Sequence, residues 1–165
     1  MFLPGLMLLL VAGPSAAQVI PGGSARDYQK RHDRRQMEFR GAVLRETTDV
    51  MQRWQNAWTS DAIRAVTRLY TEDAVLVPAD GSPVVRGRQE IAAYLKRVLP
   101  KLGEITTSFQ DFDVGGSLAF AMGSFSYVAP GRSVGTRRLK GQFVAVFRLE
   151  SGHWRIRSQV FEQRT

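Results

Sequence analysis

The 165-residue chain carries 23 Lys and Arg against 15 Asp and Glu, a formal charge of +8, and has no Cys. That length suits one domain, and a content of 44% hydrophobic and 23% charged residues excludes a disordered or fibrous chain. The lack of Cys excludes disulfide scaffolds, thiolate nucleophiles and zinc ribbons; with His only at His32 and His153, no metal and no cofactor are expected.

Residues 1–17 are apolar and uncharged, broken by Pro14 and closed by Ser15-Ala16-Ala17. The stretch is shorter than the roughly 20 residues of a bilayer span and fits the core of a signal peptide followed by small residues at a cleavage site. Cleavage after Ala17 and export to a periplasmic or secreted location are expected. Because no Lys or Arg precedes the apolar core, a retained anchor is the alternative. Residues 18–42 then form a basic lead segment, in which Arg26, Lys30, Arg31, Arg34, Arg35 and Arg40 outnumber Asp27, Asp33 and Glu38. It reads as a solvated linker or frayed helix, with an arm for an anionic surface as the alternative. The basic residues have no interleaved aromatic platforms, so nucleic acid is not an expected partner.

The remaining residues, 43–165, are expected to form the domain. Val43, Leu44, Thr47, Val50, Met51, Trp54, Ala57 and Trp58 recur at helical spacing. Ser60 is placed to cap a second helix carrying Ile63, Val66, Leu69 and Tyr70. Ala74–Val77 is a short apolar strand ended by Pro78 and the Asp80-Gly81 turn, and Gly87 precedes a third helix stopped at Pro100. After Gly103 the period changes to two, predicting strands at Ile105–Val114, Leu118–Val128, Arg138–Leu149 and His153–Gln163. Helices followed by an antiparallel sheet define an α+β domain. The strands are apolar on both faces, so both faces require cover. Helices serve one face, and a second copy of the chain, making a homodimer, is expected on the other.

Trp58–Asp61, Leu69–Ala74, Pro78 with Gly81, Gly87–Ile91, Ala121–Phe125 and Gly152–Ile156 follow one another in an order that resembles the nuclear transport factor 2-like superfamily, in its SnoaL-like and ketosteroid isomerase-like branch. The resemblance spans about Val43 to Glu162. It implies a cone, in which a curved antiparallel sheet wraps three N-terminal helices and leaves an apolar pocket. It does not fix a function, since the branch includes isomerases, cyclases, dehydratases, hydrolases and binding modules. The isomerase's own groups are missing at the matching positions, where Arg53 replaces a Tyr, Val77 and Pro78 replace the Asp base, and Ala145 replaces the oxyanion Asp.

Asp73 and Glu162 are the remaining weak catalytic candidates, Asp73 from the Asp-Ala step and Glu162 from its place near the chain end. Asp111 and Asp113 read as a solvated face, and His153 as an exposed turn residue. If Ala145 faces inward, Phe143 and Phe147 do too, and by comparable parity Phe120, Met122, Ser124 and Ser126 line the neighbouring strand. Trp54, Trp58 and Tyr94 then close the cavity from the helices, and Arg53 either meets an acidic ligand group or lies outside. Such walls suit a small hydrophobic or weakly acidic molecule. An exported binding domain is the leading expectation. An enzyme using Asp73 or Glu162, or a structural dimerisation module, is the alternative.

Overall fold

A computed structural model of the chain describes residues 24–60, 62–130 and 135–164. The expected cleavage site at Ala17 lies outside these residues. Helix α1 (Ala25–Thr59) opens on a capping box, with the Ser24 hydroxyl accepting from Asp27 N and the Asp27 carboxylate accepting from Ser24 N. The helix runs unbroken through residue 42, so the lead segment from Ala25 onward is helical, not a linker. Residues 25–40 stay exposed because they present no apolar stripe; Val43, Thr47, Val50, Met51, Trp54 and Ala57 present one and are buried. Arg40 fixes the junction: it donates to the Asp113 carboxylate and the Phe112 carbonyl, and its guanidinium stands 5.7 Å from the centre of the Phe112 ring.

Ser60 closes α1 by donating its hydroxyl to Asn56 O at 2.9 Å, and does not cap the second helix. That helix, α2 (Ile63–Arg68), starts after Ala62 with no side-chain cap. Strand β1 (Tyr70–Val77), the two-residue β2 (Val85–Arg86) and helix α3 (Arg88–Val98) follow. Gly87 enters α3 at φ +87°, a left-handed value that a side chain would strain, and its N–H donates to Ala74 O at 2.7 Å. A 3-10 turn at Leu99–Lys101 takes up Pro100 and ends the helical part.

The long strands β3 (Ile105–Gly115), β4 (Leu118–Pro130), β5 (Thr136–Glu150) and β6 (His153–Arg164) form an antiparallel meander with bounds close to those predicted. The sheet order is β2-β1-β6-β5-β4-β3. The sheet is curved and mixed rather than wholly antiparallel, because β1 pairs parallel to β6. The crossover through α3 and the meander returns the last strand beside the first, which is the long connection a parallel pair requires.

Register decides which side chains enter the core. Ala121 pairs with Ala145, so Ala119, Ala121, Gly123, Phe125 and Tyr127 share the inner face with Phe143, Ala145 and Phe147. Phe120 and Met122 pair with Val146 and Val144 on the outer face, where Phe120 and Met122 are 36% and 45% exposed. Ser124 and Ser126 lie on that outer face as well, so the inward parity expected for Phe120, Met122, Ser124 and Ser126 is reversed. A bulge also separates Phe147–Ile156 from Val146–Ser158 pairing and shifts the alternation of β6 by one. Beyond it Gln159 and Phe161 turn inward, while Val160 and Glu162 turn outward.

Candidate functional site

The inner face closes over a cavity of about 280 Å³ between the C-terminal halves of α1 and α3 and the sheet. Helix α1 contributes Trp54 and Trp58. Tyr70, Leu76 and Pro78–Asp80 come from β1 and the turn after it, and α3 supplies Tyr94, Leu95, Arg97 and Val98. Lys101, Leu102, Ile105, Phe125, Tyr127 and Phe161 complete the wall. Helical spacing puts Trp54 and Trp58 on one face, with ring centres 4.9 Å apart, and the β6 bulge brings Phe161 to stack on Trp54 at 5.7 Å.

Among the described residues, the buried polar groups beside the cavity include one satisfied chain and one orphan. Trp54 Nε1 donates to the Tyr70 hydroxyl at 2.9 Å, which donates to Gln159 Oε1 at 2.6 Å. Burial pushes the Tyr70 pKa up, so this hydroxyl remains a neutral donor. Trp58 also lines the cavity, but its Nε1 is packed away from any accessible surface and has no hydrogen-bond partner among the described residues. A buried indole N–H without an acceptor costs free energy.

Asp80, Tyr94 and Tyr127 gather at the cavity. The Tyr94 hydroxyl donates to the Asp80 carboxylate at 3.2 Å, and Ser82 N donates to it at 2.9 Å. Burial works to raise the Asp80 pKa, but the Ser82 and Tyr94 hydrogen bonds outweigh it and leave the carboxyl below its ordinary value. Burial pushes the Tyr94 and Tyr127 hydroxyls up, and the nearby Asp80 charge adds to both shifts. The carboxyl is thus held ionised and the two hydroxyls protonated.

Among the site residues expected from the sequence, Trp54, Trp58 and Tyr94 meet in the cavity. Phe143 and Ala145 are buried beside it as core, and Phe143 packs on Phe109 and Phe161. Arg53 lies outside, paired with Asp49 one helical turn earlier at 2.8 Å. Asp73 is on the outer side, paired with Arg148 at 2.8 Å and Arg157 at 3.3 Å; hydrogen bonds from Arg148 and Thr71, with the charge of Arg157, lower its pKa to about 2. Glu162 is exposed. Neither weak catalytic candidate reaches the cavity. Asp111 and Asp113 are exposed, Asp113 bound by Arg40, and His153 stands exposed at its hairpin. Asp80, Tyr70, Phe125, Tyr127, Phe161, Arg97 and Lys101 were missed. Pairing Ala121 with Ala145 would have found Phe125 and Tyr127, and helical spacing from Tyr94 leads to Arg97 and Val98. Among the described residues no group of three or more His, Asp or Glu is placed to hold a metal ion.

The fold and cavity define a cone domain of the nuclear transport factor 2-like superfamily. Residues 51–157 match the SnoaL-like domain, and the chain belongs to that family. No curated protein matches it in sequence. A ketosteroid isomerase-like protein from Erwinia carotovora atroseptica aligns at 18% identity and TM-score 0.66, over 74% of this chain and 96% of its own. A conserved protein from Planctomyces limnophilus aligns at 21% identity and TM-score 0.66, over 76% of this chain and all (100%) of its own. An NTF2-like protein of unknown function from Shewanella oneidensis aligns at 17% identity and TM-score 0.61, over 73% and 98% of the two chains. At these identities the likeness establishes the fold.

Proposed function

We propose that the chain is an exported binding domain that holds one small, mainly apolar molecule in its cone. The observation that carries this reading is the aromatic cavity walled by Trp54, Trp58, Tyr94, Phe125 and Phe161. A volume of about 280 Å³ falls just short of the roughly 300 Å³ at which ligand pockets begin, which restricts the occupant to a compound of one or two rings. That volume, just below the usual range, keeps the structural dimerisation module as the second reading, supported by the apolar outer sheet face. Asp73 and Glu162 face away from the cavity, so the enzyme alternative would have to use Asp80 with Tyr94 and Tyr127, the ionisable groups that do converge there.

Two further elements belong to the reading. The exposed Leu118, Phe120, Met122, Val144 and Val160 on the outer sheet face support association of two copies through that face. The projecting basic start of α1 supports contact with an anionic surface. Export rests on residues 1–17 alone.

The binding claim is tested with 2-naphthol, followed by quenching of tryptophan fluorescence. The wild-type chain should show one saturable site, and Val98→Trp, which fills the wall of the cavity, should lose it. Equal binding by Val98→Trp would place the ligand elsewhere and overturn the reading.

A further inference from the structure

The sheet ends in two unequal edges: β2, of 2 residues, and β3, of 11. An edge strand as long as β3 presents a row of backbone N–H and C=O groups on which another strand can pair. Ile105, Thr106, Thr107 and Phe109 carry the β-branched and aromatic side chains that favour such pairing. Along β3 the backbone groups face β4 and the outside in alternation. Side chains take outward groups in both halves of the strand. Thr107 N donates to Gln55 Oε1, Phe112 N to Asp111 Oδ1 at 2.8 Å, and Val114 N to Asp113 Oδ1 at 2.9 Å. The Phe112 carbonyl accepts from Arg40, which also donates to Asp113. Arg40 and Gln55 stand about four turns apart on α1, so the helix runs along the edge and covers it at two points. Between those points a bulge after Phe109 breaks the even spacing that a partner strand needs.

We infer that β3 is an edge for strand pairing between two copies of this chain, and that Arg40, Gln55, Asp111 and Asp113 hold it closed. A second copy is the fitting partner, because identical edge strands related by a two-fold axis align antiparallel and offer each other the same groups. The closure has a consequence for assembly. A chain that associates through its outer sheet face and also through an open β3 edge has two separate self-pairing surfaces, and such copies link into open-ended chains. With the edge shut, association through the outer face stops at two. The four side chains thus act on which surface is used, not on the cavity.

The test uses the full chain with Met122→Glu and Val144→Glu, which removes the outer face from the result, and reads association by sedimentation velocity. With the native edge this chain should sediment as one copy at every concentration. Adding Arg40→Ala, Gln55→Ala, Asp111→Ala and Asp113→Ala should make it associate as concentration rises, while circular dichroism shows the fold retained. Adding Thr107→Pro as well removes an outward donor from β3 and should return the chain to one copy. A folded open-edge variant that stays a single copy overturns the inference, and so does association that survives Thr107→Pro. Amide hydrogen exchange in Gln55→Ala alone gives a reading that does not depend on how the multiple variant folds. The Thr107 amide should exchange about fivefold faster, as for one lost hydrogen bond, while the β3 amides that face β4 keep their rates. An unchanged Thr107 rate overturns the closure.

Discussion

Gly141 and Gly123 occupy points where a side chain has no room. A Cβ on Gly141 would fall 2.0 Å from Glu162 O and 2.6 Å from Phe125 Cζ, and one on Gly123 would fall 2.0 Å from Ser108 O. Phe125 stands opposite Gly141, and Phe143 opposite Gly123, so each ring lies across a bare backbone. Gly141→Ala should therefore cost about 1–3 kcal/mol or more in a urea titration, because the obstacle is backbone that cannot move aside. Tyr70→Phe removes the hydroxyl between Trp54 Nε1 and Gln159 Oε1 and leaves both buried groups unpaired. A loss of about 2 kcal/mol or more is expected in the same titration. Asp73 gives a pH signature. Its folded pKa of about 2 lies below the ordinary 3.8, so the Arg148 and Arg157 pairing stabilises the fold above pH 4 and is lost as pH falls from about 4 to 2. Asp73→Asn should flatten the stability–pH curve over that interval and leave its shape above pH 5 unchanged.

At the scale of elements, strand ends were legible because Gly115-Gly116 and Ser151-Gly152 are turn sequences whatever the tertiary context. The inner residues of the strands were not, since they depend on pairing. Nothing local in Phe120–Ser126 tells which side faces the helices until Ala121 is set opposite Ala145. The bulge near Arg157 is equally hidden: one extra residue reverses the facing of everything after it, bringing Phe161 in and sending Glu162 out. For the start of α1 the sequence left linker and frayed helix open, and the structure shows the helix. Its charged residues carry no stripe to reveal a helix, yet the Ser24–Asp27 box and the Gln29–Asp33 side-chain bond at 2.8 Å support one. Because burial starts near Val43, deleting residues 24–39 should leave the thermal midpoint of the cone within a few degrees of the full chain, read by circular dichroism. The same deletion should abolish co-sedimentation with phosphatidylglycerol vesicles at low salt. Retained co-sedimentation would move the anionic contact off this helix.

For the whole molecule, the two faces of one sheet carry two separate proposals. The outer face predicts a dimer, so sedimentation equilibrium should give twice the chain mass, and Met122→Glu with Val144→Glu should reduce it to one. The inner face carries the claim on which the function rests, that the cavity is a ligand site and not leftover space. The indole N–H resonances of Trp54, Trp58 and Trp154 offer the most direct reading, assigned through Trp→Phe variants and followed as 2-naphthol is added. Trp54 and Trp58 should shift as the naphthol ring packs against them, while Trp154, which does not line the cavity, should stay in place. A Trp58 resonance unmoved at saturating 2-naphthol would contradict the account.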